Sequence, residues 1–278
     1  MIGAIAGDVI GSVHEASLPQ PKDFPLFVPQ SCFTDDTVLT VAVATAIRLG
    51  TDYGSTIRHW GRCYPDARYG GRFLDWLIQD EAPAYNSYGN GSAMRVSAVG
   101  WAFDELDRVM LEAARSAKVT HNHPEGIKGA QAVAASVLLA RTGHDKERIR
   151  SFLFKQFGYD CSVRLDDLRR KSDFDVTCQG TVPVAAVAFL ESSDFEDAIR
   201  NAISLGGDAD TLACIAGAMA EAFYGGVPGP IQDEVMRRLD APLRTEVVAF
   251  AETYGVPRTP DRAANCPIIR DGQPTKPR

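Results

Sequence analysis

Three glycines recur every four residues near the start of the chain, at Gly3, Gly7 and Gly11. Residues four apart lie on one face of a helix, so this spacing gives a helix with one face of nearly bare backbone. A neighbouring helix can approach such a face closely. The intervening residues are mostly apolar, and residues 2–13 are therefore predicted to form a buried central helix despite the low helix propensity of glycine.

Helical patterns continue along the chain, with no strand alternation and no repeat of fixed period. Further helices are predicted over residues 35–49, 54–64, 73–80, 104–118, 124–142, 146–157, 178–191, 195–205 and 210–224, within the stretch 230–254, and briefly after the loop 86–92. The fold class is therefore all-α, with one multi-helix domain over residues 1–256. Residues 257–278 are rich in proline and charge and are predicted to be an extended or partly loose tail.

The composition of the chain limits the classes of binding partner that are expected. A chain of 278 residues can bury a sizeable core, and its 45% hydrophobic and 23% charged residues are typical of globular proteins. The net charge of -7 argues against general attraction to nucleic acid or anionic membranes, although a local nucleotide site stays possible.

The spacing of the cysteines and the length of the apolar segments predict the cellular compartment. The six cysteines are scattered without a CxxC pair, which predicts neither a zinc site nor a disulfide framework. No basic leader precedes the first apolar stretch, which Asp8 interrupts, and no apolar run is long enough to span a bilayer. These observations predict a cytoplasmic protein in a reducing compartment.

Two acidic clusters lie far apart in the sequence, each directly before a very apolar helix. They comprise Thr34, Asp35, Asp36 and Thr37 in the first, and Asp208, Asp210 and Thr211 in the second. Helix capping is the simpler interpretation, since aspartate and threonine are good N-caps and acids suit the first turn. However, each cluster holds more oxygen-bearing side chains than capping needs, and the apolar helices behind them place the acids near the core.

Buried neighbouring carboxylates repel one another unless a cation neutralises them. Oxygen ligands without histidine or cysteine suit magnesium, manganese or calcium rather than zinc. Four carboxylates from two segments fit a two-metal site. The second cluster is not an EF-hand, because Met219 stands where the twelfth-position glutamate belongs.

Two further acids lie in or after the glycine-rich helix. Glu15 stands at its C-terminal end, where the helix dipole disfavours a carboxylate, which makes it a candidate for chemistry; a solvated surface acid is the alternative. Asp8 lies within the helix, and a buried acid bonded to neighbouring backbone is its preferred interpretation.

Two polar loops precede helices. The first, residues 88–95, contains Gly-Asn-Gly-Ser, whose backbone amides could approach a phosphate at a helix N-terminus, although a plain turn is an equal alternative. Met94 stands where a dinucleotide fingerprint needs its third glycine. In the second loop, His121 and His123 could bind metal, stack on a base or donate to phosphate, whereas a surface loop is the simpler interpretation.

Taken together, these segments resemble the ADP-ribosylglycohydrolase family, which includes ADP-ribosylarginine hydrolases and the glycohydrolase that reactivates dinitrogenase reductase. The matching segments occur in the family's order, at residues 7–15, 34–37, 89–95, 120–124 and 206–211. The resemblance implies an all-α, orthogonally packed domain with a binuclear magnesium or manganese centre in a central cleft.

The resemblance also implies roles for individual residues. The metal ligands would be Thr34, Asp35, Asp36, Asp208, Asp210 and Thr211, with Asp210 bridging the two cations. The substrate contacts would be Asn90, Gly91, Ser92 and Met94 around the diphosphate and ribose, and His121 on the ADP-ribose. Glu15 would lie beside the metals over the anomeric carbon.

The predicted reaction is therefore hydrolysis of the bond between ADP-ribose and a modified protein or small-molecule conjugate, with Glu15 as general base. Asp36 is a possible proton donor if no metal holds it. ADP-ribosylarginine is the preferred substrate, followed by serine-linked ADP-ribose, O-acetyl-ADP-ribose and a modified nucleobase. The alternatives are a dimetal phosphohydrolase acting on a nucleotide and a non-catalytic ADP-ribose-binding relative.

Overall fold

The computed structural model describes residues 1–170 and 174–257. The helices in order are α1 (Ile2–Gly11), α2 (Asp35–Leu49), α3 (Tyr53–Cys63), α4 (Gly71–Ile78), α5 (Gly91–Met94), α6 (Ser97–Ala102), α7 (Leu106–Lys118), α8 (Pro124–Arg141), α9 (Lys146–Phe157), α10 (Leu165–Arg169), α11 (Cys178–Leu190), α12 (Phe195–Ser204), α13 (Ala209–Tyr224), α14 (Gly229–Arg238) and α15 (Ala241–Tyr254). Over these residues no β-strand forms beyond two isolated bridges, Ser17 with Gly207 and Gly89 with Thr177. The predicted all-α fold class is confirmed.

The helix ends differ from the predicted ones in a few places. The predicted stretch 230–254 is two helices, because the Asp240 side chain accepts a hydrogen bond from Leu243 N at 3.1 Å and so caps α15. The short helix α10 was not predicted. The first helix ends at Gly11 rather than at Val13. The predicted tail, apart from Pro257, lies outside the described residues.

Helix α1 packs against α13 with almost no side chain between them. An ideal Cβ on Gly7 would lie 2.0 Å from the carbonyl oxygen of Ala213, and one on Gly11 would lie 2.5 Å from Cα of Asp210. On the opposite helix, a Cβ on Gly217 would lie 2.2 Å from the carbonyl oxygen of Gly3. The glycine spacing therefore lets two backbones touch, as the sequence predicts.

The α1–α13 pair lies at the centre of the molecule. Every residue of α1 is buried, as is nearly all of α13, which also packs against α8, α11 and α12. Helix α2 packs beside α1, α3 and α15. As a result, the N-terminal ends of α2 and α13 meet near the C-terminal end of α1.

Two further features of the described residues concern membrane spans and cysteines. None of their helices is both long enough and apolar enough to cross a bilayer. Their cysteines are free thiols: Cys32, Cys63, Cys161, Cys178 and Cys214.

Candidate active site

The two acidic clusters, distant in sequence, meet in space. The Thr211 hydroxyl at the start of α13 donates a hydrogen bond to Oδ2 of Asp36 at the start of α2, at 3.3 Å. Both helices direct their N-terminal ends, and hence their positive dipole ends, toward the same place. The packing of α1 against α13 fixes this meeting point, since Gly11 contacts the backbone of Asp210.

A cleft of about 380 Å³ opens above the clusters, within the size range of small-molecule sites. Most of the sequence-predicted site residues line it: Glu15, Asp35, Asp36, Asn90, Gly91, Met94, His121, Asp208, Asp210 and Thr211. Two predicted site residues, Thr34 and Ser92, are not part of the lining. The carboxylates form the floor of the cleft, and the polar loops contribute to its wall.

Glu15 lies beside the second acidic cluster at the edge of the cleft. One carboxylate oxygen of Glu15, one of Asp208 and one of Asp210 all lie within 4.8 Å of one another. The Glu15 side chain is 40% exposed, whereas both aspartates are buried. Glu15 therefore stands at the boundary between the acidic floor and the open part of the cleft.

Arg68 holds Glu15 from the outer side. Its guanidinium donates to the carbonyl oxygen of Ser12 at 2.9 Å and lies 3.5 Å from Oε2 of Glu15. Arg68 has a φ of 68°, a left-handed conformation that non-glycine residues rarely adopt. A strained backbone that brings a cation to an acid is a common feature of functional sites.

Burial raises the pKa of the floor carboxylates. The pKa values of Asp35, Asp36 and Asp210 lie well above the ordinary value, first because protein atoms replace water around them and then because neighbouring carboxylates repel. Asp208 is shifted in the same direction, again chiefly by burial. The arrangement is thus unfavourable for several negative charges without a compensating cation.

The donor set fits hard divalent cations. The clustered side chains offer carboxylate and hydroxyl oxygens and no imidazole or thiolate, a combination that suits magnesium, manganese or calcium. Oδ1 of Asp36 is buried and has no hydrogen-bond partner among the described residues. A buried oxygen that lacks a donor is a natural position for a cation ligand.

Asp8 is a buried acid that is hydrogen-bonded to neighbouring residues, as its sequence position predicts. Its carboxylate accepts hydrogen bonds from Thr34 N at 2.9 Å, Thr34 Oγ1 at 2.6 Å and Thr37 N at 3.1 Å, and also from the Thr37 hydroxyl. These bonds join α1 to the first turn of α2. Asp8 therefore fixes the first acidic cluster in place rather than facing the cleft.

The Thr34 side chain makes most of its hydrogen bonds within this contact between α1 and α2. Its hydroxyl donates to Asp8 and accepts from Asp36 N at 3.3 Å, the bond that caps α2. Only one lone pair of this oxygen is left for a cation. Thr211, in contrast, donates to Asp36 and keeps its own lone pairs free.

The glycine-containing loop divides its side chains between cleft and core. Asn90 donates to Oδ2 of Asp208 at 2.6 Å and to the Thr181 hydroxyl at 3.0 Å, so it orients an acid of the floor. Ser92 is fully buried, and its hydroxyl donates to the carbonyl oxygen of Gly126 at 2.7 Å. Its side chain is therefore directed away from the cleft.

The two loop histidines have different positions. His121 is buried in the cleft wall, and burial together with the cations Arg95 and Arg72 holds its pKa well below the ordinary value. The ring of His123 instead caps α8, where Nδ1 accepts from Glu125 N at 3.1 Å. The surface-loop interpretation holds for His123 and fails for His121.

Sequence reasoning missed several cleft residues. These are mainly basic and aromatic side chains: Arg68, Arg72, Phe73, Tyr85, Arg95 and Phe174. Arg95 belongs to the predicted loop segment 88–95, but a buried arginine is rare, and nothing in the sequence indicates its burial. The others lie on separate loops and helix starts and form no motif.

Comparison with known proteins gives a consistent result. The sequence model of the ADP-ribosylglycohydrolase family matches residues 1–261. The chain is 26% identical over 262 residues to ADP-ribosylarginine hydrolase Tri1 of Pseudomonas putida, covering 81% of this chain and 69% of that protein. It is 26% identical over 305 residues to human ADP-ribosylhydrolase ARH3, covering 81% and 84%.

A solved structure shares the same architecture. The chain superposes on an ADP-ribosylglycohydrolase-related protein complex with a TM-score of 0.68 and 26% identity, covering 90% of this chain and 95% of the other. The family match spans all of the helices and loops that build the cleft. The chain is therefore a member of the ADP-ribosylglycohydrolase family of hydrolases.

Proposed function

We propose that the chain hydrolyses the glycosidic bond between ADP-ribose and an arginine side chain of a modified protein, releasing free ADP-ribose. The observation that carries this proposal is the position of Glu15, whose carboxylate lies within 4.8 Å of both Asp208 and Asp210 at the edge of the cleft. A carboxylate at that position can act on water beside a sugar bound in the cleft.

Two divalent cations, Mg²⁺ or Mn²⁺, fit the floor of this cleft. The residues that would hold them are the cleft-lining Asp35, Asp36, Asp208, Asp210 and Thr211, together with Thr34 at the start of α2. When bound, such cations polarise the ribose hydroxyls and hold the sugar in one orientation. The raised pKa values of the aspartates support this assignment, because the folded protein stabilises these charges poorly by itself.

Glu15 is the proposed general base. Its carboxylate takes a proton from a water molecule as the water oxygen bonds to the anomeric carbon. The bond from that carbon to the target nitrogen breaks with both electrons going to nitrogen, and the nitrogen then gains a proton. The neighbouring carboxylates stabilise the positive charge that develops on the sugar ring.

Asp36 is a candidate source of the proton for the leaving group. Burial and the charges of Asp8 and Asp210 raise its pKa, which favours the protonated form. Oδ2 accepts from Thr211, whereas Oδ1 has no partner among the described residues. This role requires that no cation binds Asp36, because a divalent cation on the carboxylate would displace its proton.

The part of the cleft lined by the glycine-containing loop and His121 is suited to the ADP part of the substrate. Asn90, Gly91, Met94 and His121 line it, and the glycines allow the backbone of the loop to approach a ligand. Ser92 can contribute only its backbone, since its hydroxyl is bonded to Gly126. We assign the diphosphate and its adjoining ribose to this part of the cleft.

Arginine is the proposed acceptor because one relative is named an ADP-ribosylarginine hydrolase and because the segment 120–124 resembles that branch. The test incubates the full chain with Mg²⁺ or Mn²⁺ and a panel of arginine-, serine- and nucleic-acid-linked ADP-ribose, together with O-acetyl-ADP-ribose. Chromatography of the products then measures free ADP-ribose. Release from the arginine conjugate is the expected result.

The same assay separates the alternatives. Release of inorganic phosphate or AMP in place of intact ADP-ribose would indicate a phosphohydrolase. Binding of ADP-ribose without turnover of any conjugate would indicate a non-catalytic relative. Release from the serine conjugate alone would keep the reaction but replace the acceptor.

A further inference from the structure

Three buried side chains form a connected series behind the cleft wall. Arg95 donates from Nη2 to the carbonyl oxygen of Ser116 at 2.9 Å and to the Thr120 hydroxyl at 3.0 Å. The same hydroxyl lies 2.7 Å from Nδ1 of His121. Arg95 and Thr120 are 0% exposed and His121 is 5% exposed, so bulk water does not compete for these hydrogen bonds.

The donors and acceptors of these three side chains allow an arrangement in which Thr120 donates its proton to His121. A guanidinium only donates, so Arg95 occupies a lone pair of Thr120, and the single hydroxyl proton of Thr120 is free to go to another acceptor. If it goes to Nδ1 of His121, both groups are satisfied. If Nδ1 carried the proton instead, the buried Thr120 hydrogen would have to go to the Tyr85 oxygen.

The positive charge of Arg95 also favours an unprotonated Nδ1 on His121. The Arg95 guanidinium stands behind Thr120, so the side of the imidazole that faces it experiences positive potential. A lone pair on that side is favoured over an N–H. Thr120 also contacts the Tyr85 hydroxyl, whose oxygen can accept the Thr120 proton, so the charge of Arg95 decides between the two arrangements.

The other ring nitrogen of His121 faces the ligand side. An ideal Cβ on Gly91 would lie 3.1 Å from Nε2, and one on Gly89 would lie 3.7 Å from it. Nε2 makes no hydrogen bond to another described residue. It therefore lies beside the loop that lines the cleft, without a partner of its own.

We propose that Arg95 and Thr120 form a hydrogen-bond relay that fixes His121 as a neutral Nε2–H donor, directed at the ligand side of residues 89–91. The inference rests on the proposed function only for the identity of the acceptor, an oxygen of the ADP-ribose diphosphate or ribose. Arg95 and Thr120 are positioning residues, since neither needs to touch the ligand. The assignment explains why a buried arginine follows the glycine-containing loop.

The first test needs no ligand and no variant of the relay. The full chain is labelled with ¹⁵N-histidine, and long-range ¹H–¹⁵N spectra are recorded at neutral pH, with His121→Gln identifying the His121 signals. The expected spectrum shows Nε2 as the protonated nitrogen and Nδ1 as the unprotonated one. A protonated Nδ1, or a doubly protonated ring, would overturn the proposal.

The second test asks whether Thr120 sets this state. Thr120→Val removes the hydroxyl with little change in volume and should yield a mixture of tautomers, whereas Thr120→Ser should restore the wild-type spectrum. Thr45→Val is the matched control, because it removes another buried threonine hydroxyl, which donates to Val41 O at 2.9 Å away from the cleft. If Thr120→Val does not fold, the smaller Thr120→Ala variant takes its place in the same comparison, and the wild-type spectrum of the first test still confirms or overturns the tautomer. An unchanged tautomer in a folded Thr120→Val would contradict the relay.

The third test connects the relay to binding. Calorimetry with ADP-ribose and Mg²⁺ should show affinity weakened about tenfold or more in Thr120→Val and close to wild type in Thr120→Ser and Thr45→Val. If wild-type protein has the expected tautomer but does not bind ADP-ribose, the proposed function fails while the relay stands. If Thr120→Val shows a mixture of His121 tautomers but binds ADP-ribose as tightly as wild type, His121 is not a directed donor to the ligand.

Discussion

The hydroxyl of Thr211 donates to Oδ2 of Asp36 at 3.3 Å, although the two residues lie 175 positions apart in the chain. This bond joins the start of α13 to the start of α2. It brings one acidic cluster against the other, so that each raises the pKa of its neighbours beyond what burial alone does. The fold therefore holds together charges that repel, and this repulsion has measurable consequences.

Divalent cations should stabilise the protein through these acids. At a concentration of about 100 times Kd, Mg²⁺ or Mn²⁺ should raise the free energy of unfolding by about 2.7 kcal/mol relative to the protein in EDTA. Asp210→Asn should lose most of this gain, yet be no less stable than wild type in EDTA, because it removes one repelling charge. Denaturant unfolding with and without metal measures both quantities.

The control for this experiment is Asp107→Asn on the exposed face of α7, which should keep the wild-type response to metal. Equal metal-induced stabilisation of Asp210→Asn and wild type would remove Asp210 from the ligand set.

Substitution of Glu15 should separate chemistry from binding. Glu15→Gln keeps the shape of the side chain but cannot take a proton, so turnover should fall by about 10²–10⁴-fold, the usual contribution of a general base. ADP-ribose affinity, measured by calorimetry, should stay close to wild type. The exposed Glu105→Gln serves as the control, and full activity of Glu15→Gln would exclude Glu15 as the base.

Sequence patterns predict the parts of this molecule that depend on local spacing. The glycine repeat predicts the close helix contact, and the acids before apolar helices predict a shared centre. Thr34 and Ser92 show the limit, because the direction of a hydroxyl depends on partners that only the tertiary fold supplies, Asp8 and Gly126. The basic wall of the cleft could not be predicted for the same reason, since Arg68 and other cations come from segments without a pattern.

The backbone contact between α1 and α13 should be intolerant of a single methyl group. Gly7→Ala places a Cβ 2.0 Å from the carbonyl oxygen of Ala213, where neither helix can move aside easily. We expect a loss of about 3 kcal/mol or more in the free energy of unfolding, despite the higher helix propensity of alanine. Gly71→Ala is the matched control, since its Cβ would contact nothing within 4 Å. A Gly7→Ala protein as stable as wild type would contradict the close approach.

His121 should make stability depend on pH in mildly acidic solution. Its pKa in the folded protein lies well below the ordinary value of 6.5, so between these two values the unfolded chain binds a proton that the folded chain does not. The contribution of His121 is therefore fully present above pH 6.5 and is lost as the pH falls toward the folded pKa. Relative to His121→Gln, wild type should lose up to about 1.4 kcal/mol per pH unit there. Parallel stability curves for the two proteins would mean that His121 is not held neutral.

Arg68 should affect catalysis and stability in opposite directions. Its φ of 68° is strained for any residue with a Cβ, so Arg68→Gly should relieve the backbone and leave the protein at least as stable as wild type. The same change removes the guanidinium 3.5 Å from Glu15 and should lower kcat about tenfold, with a smaller effect on KM, because Glu15 loses its orientation. Arg68→Ala removes the guanidinium but keeps the strain, so it should match Arg68→Gly in kcat and be less stable by about 1 kcal/mol. Steady-state kinetics and denaturant unfolding of the two variants distinguish these effects, and a kcat that is unchanged in both would show that Arg68 does not position Glu15.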